Sequence, residues 1–552
     1  MRNWLDNLKI FLKNRTYLLA LSLTAMCSYG FLVTHATVGI DDTPYTYYFE
    51  DGLVAIVGRW ALYLLNKVVH IADFAPFVTD LAGVLLLMAA VTLWCALFYS
   101  ILGERLPWYG YMFFAMVFLS CPLISEVYTY YLHNGVSIGY LFCGLSLCCF
   151  REGKRRLEQR EPRRWMLPFL GAAAGLWIAI GCYESLMIAW LLGICLMFLT
   201  ERFAGEKNRV FCGLLAAAAV AVISIVLRSV MIAAVIKVFG LEYLREDALQ
   251  RSITEMLSWM FQEGARAEFA MVLKRTFVMY GAFAYAYYPI KIFVFASIVI
   301  VCFGIWRSIR QRDLWVLFFT FGSFVASFLL LFVEGSATLY RSAQFLPVVC
   351  GYGALVAVYA VNGLAARLQK KLAGLLKVLT VFGLTAVVWN QCTDMNHWFY
   401  VDYLKYESAK ETAARIAYEL EKDFDMTKPV VFTGTYEIPE GLIEDAYVPY
   451  GSKRFYQINN ITSRIDEQLL EKFYRPQGVW VAQTPALSVI DWGRYAFGDD
   501  TELVHFFAMH GHEMVPLLNT EYMDAEVLSV DWPHFPVEGS IVDVGEYIIV
   551  HF

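Results

Sequence analysis

Charged side chains are what this sequence has least of. Asp, Glu, Lys and Arg make up 17% of its 552 residues, against 59% hydrophobic, and the mean hydropathy is +0.51. A soluble chain of this size cannot bury so much apolar surface, so lipid is its main solvent. A basic surplus is missing too: the net charge is −6, and no nucleic-acid role has support. Cysteines are present but follow no metal-ligand or CxxC spacing. The 12 of them sit almost entirely in apolar runs, as at Cys143, Cys148, Cys149, Cys195 and Cys302, where they serve as small apolar residues. Cys121, Cys182 and Cys392 come near one membrane face by topology, without spacing that supports a disulfide. The sequence has no Walker-type Gly-Lys loop, no low-complexity linker and no internal repeat. The last absence speaks against a transporter or flippase built from two related halves.

What the chain does have is a succession of apolar runs. The start, MRNWLDNLKIFLKNR, is basic and amphipathic and predicts an interfacial helix. Spans follow at about 17–38 and 77–102, then in pairs around SEVYTYYLHNG and CYES, at about 210–236 and 290–305, in a pair around EGSATLYRS, and at about 375–389. That makes about eleven transmembrane helices. With the N-terminus in the cytoplasm, the strongly basic loops (REGKRRLEQREPRR, ERFAGEKNR, RSIRQR, AARLQKKLAGLLK) join it on that side. An odd number of spans then leaves the tail outside. Residues 401–552 carry 11 Lys and Arg against 26 Asp and Glu, a net −15, so the first 400 residues are left with +9.

The expected fold is an α-helical polytopic membrane protein. Residues 1–391 form the transmembrane domain, with interfacial helices on its outer face near 48–70 and 240–285. Residues 392–552 form a soluble extracytoplasmic α/β or α+β domain. Its signals are an amphipathic helix, YLKYESAKETAARIAYELEKDF, and the strand-like runs KPVVFTGTY, GVWVAQT and YIIVHF.

Polar groups in a membrane domain are informative because a central Asp or Arg costs about 2.5–3.5 kcal/mol on insertion scales. The stretch GIDDTPYTYYFEDGLVAIVGRW places Asp41 and Asp42 where the first span ends. They read either as a solvated helix terminus or as a general base or metal site. A helix C-terminus prefers cations, which weighs against the first reading. Arg59 follows on an amphipathic segment, beside Trp60, and either snorkels or pairs with a phosphate. Glu184 and Tyr183, in CYES, occupy a very short turn between two spans. Arg341, in LYRSAQF, sits in the matching turn and can pair with Glu334 or bind an anion. His133 and Asn134 complete the ring of polar outer turns, and Arg228 lies inside the seventh span.

The DD pair after the first span, the GRW that follows and the CYES turn together resemble a known family. It is that of bacterial GT-C membrane glucosyltransferases, typified by the O-antigen-modifying enzymes of serotype-converting phages. In that family the CYES-like turn often carries Gln where this chain has Glu184. The resemblance implies transfer of a hexose, typically glucose, from a polyprenyl-phosphate sugar on the outer leaflet to a cell-surface glycan. Asp42, or failing it Asp41, would be the general base. Arg59 and Arg341 would bind the donor phosphate, with Glu184, Tyr183, His133, Asn134 and Trp60 around the pocket. The displacement would invert the anomeric configuration. No cofactor is implied, and the acidic pair leaves a divalent metal open. A polymerase acting on lipid-linked glycans is the nearest rival enzyme. The expected location is the bacterial cytoplasmic membrane.

The orientation is testable. A reporter active only outside the cytoplasm should be active when fused after Phe552 and inactive when inserted between residues 159 and 165. The opposite pattern would invert the topology.

Overall fold

The computed structural model describes residues 4–38, 52–71, 73, 75–130, 133–159, 165–206, 209–241, 258–261, 264–281, 291–335, 340–434, 468, 472, 501–517 and 522–552. The chain opens with α1 (Trp4–Lys13) and α2 (Arg15–Thr34), separated by Asn14, whose Oδ1 accepts from the Tyr17 N–H at 3.1 Å and caps α2. Two short helices follow, α3 (Gly52–Ile56) and α4 (Trp60–Val69), and then the apolar series: α5 (Val78–Leu102), α6 (Trp108–Leu119), α7 (Leu123–Tyr128), α8 (His133–Glu158), α9 (Met166–Cys182), α10 (Leu186–Phe203) and α11 (Val210–Phe239). Next come α12 (Ala265–Gly281), α13 (Lys291–Gln311), α14 (Leu314–Ser327), α15 (Leu329–Glu334), α16 (Leu346–Ala365) and α17 (Lys370–Asp423). Among the described residues, eight helices are long and apolar enough to cross a membrane. Three shorter apolar helices, α6, α9 and α14, stand where the sequence places the third, fifth and ninth spans. The helices at 60–69 and 265–281 fall in the two segments expected at the interface.

In lipid, apolar contact alone does not hold helices together, so close packing and buried hydrogen bonds carry the association. Ser146 on α8 shows this. Its Oγ donates to the Ala172 carbonyl on α9 at 2.6 Å and accepts from the Trp190 indole on α10 at 2.8 Å. On α8, Tyr140 donates to Gln344, just before α16, whose main-chain carbonyl lies at 2.6 Å. Around these bonds Trp94, Phe98, Phe114, Phe118 and Tyr352 fill the interior. All twelve cysteines are free, several of them buried in this core.

The helix connections define two ends of the bundle. The basic end carries the 151–158 segment of α8 and the turn after α10, and its charges pair. Lys154 and Glu201, 2% and 3% exposed, form a tight ion pair. Arg151 lies 3.7 Å from Glu201, Lys154 lies 3.7 Å from Glu158, and Arg202 lies 3.3 Å from Asp313. The loops that read as a basic surface are therefore partly a buried ionic clasp joining α8, α10 and the start of α14. The opposite, polar end gathers the turns at residues 120–130, 183–185 and 340–345 and the start of α8, together with α3 and α4.

The last membrane helix does not stop at residue 392, where the sequence reading ends the transmembrane part. α17 is one helix of 54 residues, running from an apolar first half into the tail. In its second half Ala409, Ala413, Ile416 and Leu420, spaced by four and three, form one buried face. That face packs with β1 (Pro429–Thr433), α18 (Thr501–Met509) and β4 (Ile548–His551). With β2 (Val515–Pro516), α19 (Tyr522–Ser529) and β3 (Ile541–Asp543), the sheet has the order β2-β1-β4-β3; β1 is parallel to both neighbours and β3 antiparallel to β4. Two of the strand-like runs, around residues 429 and 548, are thus strands. The third, GVWVAQT, lies outside the described residues.

The Lys154–Glu201 pair makes a stability prediction. Glu201→Gln removes the close partner of a buried ammonium, leaving it Glu158 at 3.7 Å, and should lower the unfolding free energy by about 3 kcal/mol. Replacing both partners by Met and Leu should cost far less. Thermal unfolding in detergent measures both, and equal losses would show that the pair does not act as a unit.

Candidate functional site

The GRW motif has a local explanation. Gly58 makes the turn between α3 and α4 at φ 91°, and a Cβ there would stand 3.1 Å from the Arg228 Cζ. Glycine therefore permits both the turn and the approach of Arg228 from α11. Arg59 occupies the N-cap position of α4, and Trp60 packs its ring 4.6 Å from Trp177 on α9. Trp60 is buried, so it supports the site instead of lining an open surface.

Arg59 is drawn to the CYES turn from its cap position. Its guanidinium sits 4.6 Å above the Tyr183 ring, and its Nε is 3.8 Å from the Glu184 carboxylate. That separation is too long for a hydrogen bond, and the Nε–H is buried without an acceptor. Arg228 adds a second guanidinium within electrostatic reach of Glu184 and Arg59, its Nε donating to the Ile180 carbonyl at 3.2 Å. Two arginines thus share one carboxylate. Glu184 is 50% exposed at its side chain.

Arg341 approaches from the turn before α16, with its guanidinium 5.1 Å from the Tyr130 ring centroid. It is also near Glu126 on α7, whose Oε2 is buried and makes no hydrogen bond. Tyr183 lies within electrostatic range of Arg59, Glu184, Arg341 and Glu126, which links the two arginine groups. The Glu334 side chain is outside the described residues, so its pairing with Arg341 is not addressed.

His133 and Asn134 open α8 at the same end. Asn134 is fully buried and clamps the backbone, donating to the Ile71 and Thr79 carbonyls at 2.6 and 3.1 Å. His133 faces Asp80 in the first turn of α5. Asp80 and Glu126 carry no signal of periodicity or motif. What marks them is a carboxylate in or beside an otherwise apolar run, the same cost that singles out Arg228. Asp41 and Asp42 lie outside the described residues. The described chain continues past the end of α2 at Thr34 to Val38, three residues short of the pair, with Thr37 donating to Asp402 on α17 at 2.9 Å. Among the described residues no group of three or more His, Cys, Asp or Glu side chains could hold a metal ion.

Among the described residues, Arg59 and Arg228 face one carboxylate, Glu184, and one buried N–H lacks an acceptor, an arrangement chemically able to take an anion. Inorganic phosphate titrated into the detergent-solubilised protein should raise its unfolding midpoint, and Arg59→Ala should remove most of that rise. Equal rises in both proteins would put the anion elsewhere.

A comparison with curated protein sequences gives no match. Among solved structures, the chain is similar to one described as the crystal structure of ArnT from Cupriavidus metallidurans bound to undecaprenyl phosphate. The identity is 13%, over 77% of this chain and 83% of that one, with a TM-score of 0.32. So low a score carries no argument about shared geometry. The family comparison is of a different order: residues 30–358, more than half of the sequence and including every candidate residue from Asp41 to Arg341, match the Glucosyl transferase GtrII family. On that match, this chain belongs to the GtrII glucosyl transferase family.

Proposed function

We propose that this membrane glucosyltransferase moves a hexose, glucose in the first instance, from a polyprenyl-phosphate donor to a cell-surface glycan on the outer face of the bacterial cytoplasmic membrane. The observation that carries the reading is the Arg59–Arg228–Glu184 group: guanidinium in excess over carboxylate, half-buried at one end of a lipid-embedded bundle, with a donor N–H unfilled. A lipid phosphate suits such a place. Its chain can lie between helices while its charge meets arginine, and the sugar beyond it faces water.

In the mechanism this supports, the leaving group is already good. The protein has two tasks, to take the proton from an acceptor hydroxyl and to stabilise the charge growing on the phosphate. Asp42, with Asp41 as the alternative, is assigned the first as general base. Arg59 and Arg341 are assigned the second. Attack by the acceptor oxygen on the anomeric carbon breaks the bond to phosphate in one displacement, which inverts the configuration. The base takes the acceptor proton, and polyprenyl phosphate leaves. The same reading divides the chain near residue 392 into a catalytic membrane part and an extracytoplasmic tail, with the N-terminus in the cytoplasm.

Purified protein supplied with a polyprenyl-phosphate hexose and acceptor should release free polyprenyl phosphate. Asp42→Asn should abolish the release while the protein still folds, and Arg59→Ala should weaken donor use more than acceptor use. Full activity in both Asp41→Asn and Asp42→Asn would remove the pair from the mechanism.

A further inference from the structure

Glu184 faces two guanidiniums and binds neither firmly. Its carboxylate stands 3.8 Å from the Arg59 Nε, beyond hydrogen-bond length, and meets Arg228 only through space. The gap is fixed from both sides. Arg59 is held with its guanidinium 4.6 Å above the Tyr183 ring, and Tyr183 is 7% exposed. The backbone of the CYES turn is tied by bonds from the Leu186 N–H to the Tyr183 carbonyl at 3.2 Å and from the Met187 N–H to the Glu184 carbonyl at 3.1 Å. Only rotation of its own half-exposed side chain therefore moves the Glu184 carboxylate.

The arginines, for their part, have donors to spare. Among the described residues the Arg59 guanidinium donates no hydrogen bond, and that of Arg228 donates one, from Nε to the Ile180 carbonyl at 3.2 Å. Guanidinium presents its N–H donors in a planar fork that matches a phosphate. Glu184 thus offsets their charge without filling their donors, and an ion pair so loose and so open to water costs little to separate.

The reaction changes the charge that this place must hold. In the donor, phosphate is a diester with a single negative charge. When the acceptor oxygen attacks the anomeric carbon, the bond from that carbon to the phosphate oxygen breaks, and its electron pair stays with the phosphate. The acceptor's proton goes to the general base. Polyprenyl phosphate is left as a monoester, with a charge of about −1.5 to −2 at pH 7. A nearby carboxylate repels that product about twice as strongly as it repels the donor, since Coulomb energy is linear in charge.

We propose that Glu184 is a resident counter-ion: it partly neutralises Arg59 and Arg228 before the donor arrives, turns out into water as the donor phosphate takes its place, and from there repels the product. The inference rests on the function proposed above and adds to it a group that governs how the spent carrier leaves. In this role Glu184 takes no proton and holds no sugar. Its negative charge is the whole of its contribution.

Two inhibitors of one chain length measure that charge: polyprenyl phosphate, close to a dianion, and its methyl ester, a monoanion. Glu184→Gln keeps the shape and removes the charge. It should tighten the inhibition constant of polyprenyl phosphate about 10-fold and that of the methyl ester only about 3-fold, because the repulsion scales with the ligand's charge. Progress curves of the variant should bend earlier as product accumulates. Glu184→Asp, which keeps the charge, should retain wild-type constants. If Glu184→Gln does not fold, Glu184→Ser, equally neutral, is read in the same way. Weaker binding of both inhibitors in the neutral variant would make Glu184 a support for the arginines. Equal tightening of both would show that charge is not the cause, and unchanged constants, with or without lost turnover, would place its action elsewhere. Each of these overturns the counter-ion role and leaves the proposed function standing. A wild-type protein that neither binds polyprenyl phosphate nor turns over its hexose conjugate would overturn the function itself.

Discussion

A charge in hydrocarbon must reach an end of the bundle or find a counter-charge, and the arrangement of this protein follows from that constraint. The interior of the bundle is mostly aromatic and aliphatic, and polar points within it such as Tyr140 and Ser146 are hydrogen-bonded across helices. Charges are expelled to the two ends, and there they meet different fates. At the basic end Lys154, Arg151 and Arg202 each find a carboxylate. At the polar end Arg59 and Arg228 converge on one, and Arg59 keeps a buried donor without an acceptor. One end is closed by ion pairs, and at the other, among the described residues, the Arg59 Nε–H is left without an acceptor.

That contrast also explains why loops of similar composition do different work. REGKRRLEQR and GRW are both arginine-bearing segments at membrane ends. In the first, Arg151 and Lys154 in the last turns of α8 pair with Glu201 and fasten α8 to α10. The second holds its arginine against an aromatic ring and a half-exposed glutamate, a geometry that positions the guanidinium without neutralising it. Electrostatic preorganisation of this kind is what the proposed phosphate recognition requires.

The bundle itself was legible in the sequence because hydropathy is carried residue by residue and needs no partner: the apolar runs near 17, 77, 210 and 346 are helices. The GRW turn and the CYES turn were legible for a related reason, being local and chemically unusual in an apolar chain. The pairings were not. Nothing around Asp80 announces that His133, on another helix, will face it, nor around Glu126 that Arg341 will come close. Such contacts are fixed by how helices far apart in the chain pack together. Continuity of α17 was hidden for another reason, since the change from lipid-facing to tail-facing composition near residue 392 looks like a boundary although the backbone hydrogen bonds run through it.

That unbroken helix has a geometric consequence. A helix advances about 100° and 1.5 Å per residue, so the segment between Trp389 and Asp402 acts as a dial between membrane and tail. Its length in residues sets the compass bearing of the sheet relative to the bundle. Deleting a single residue there would swing the tail by about a quarter turn while scarcely shortening the rod.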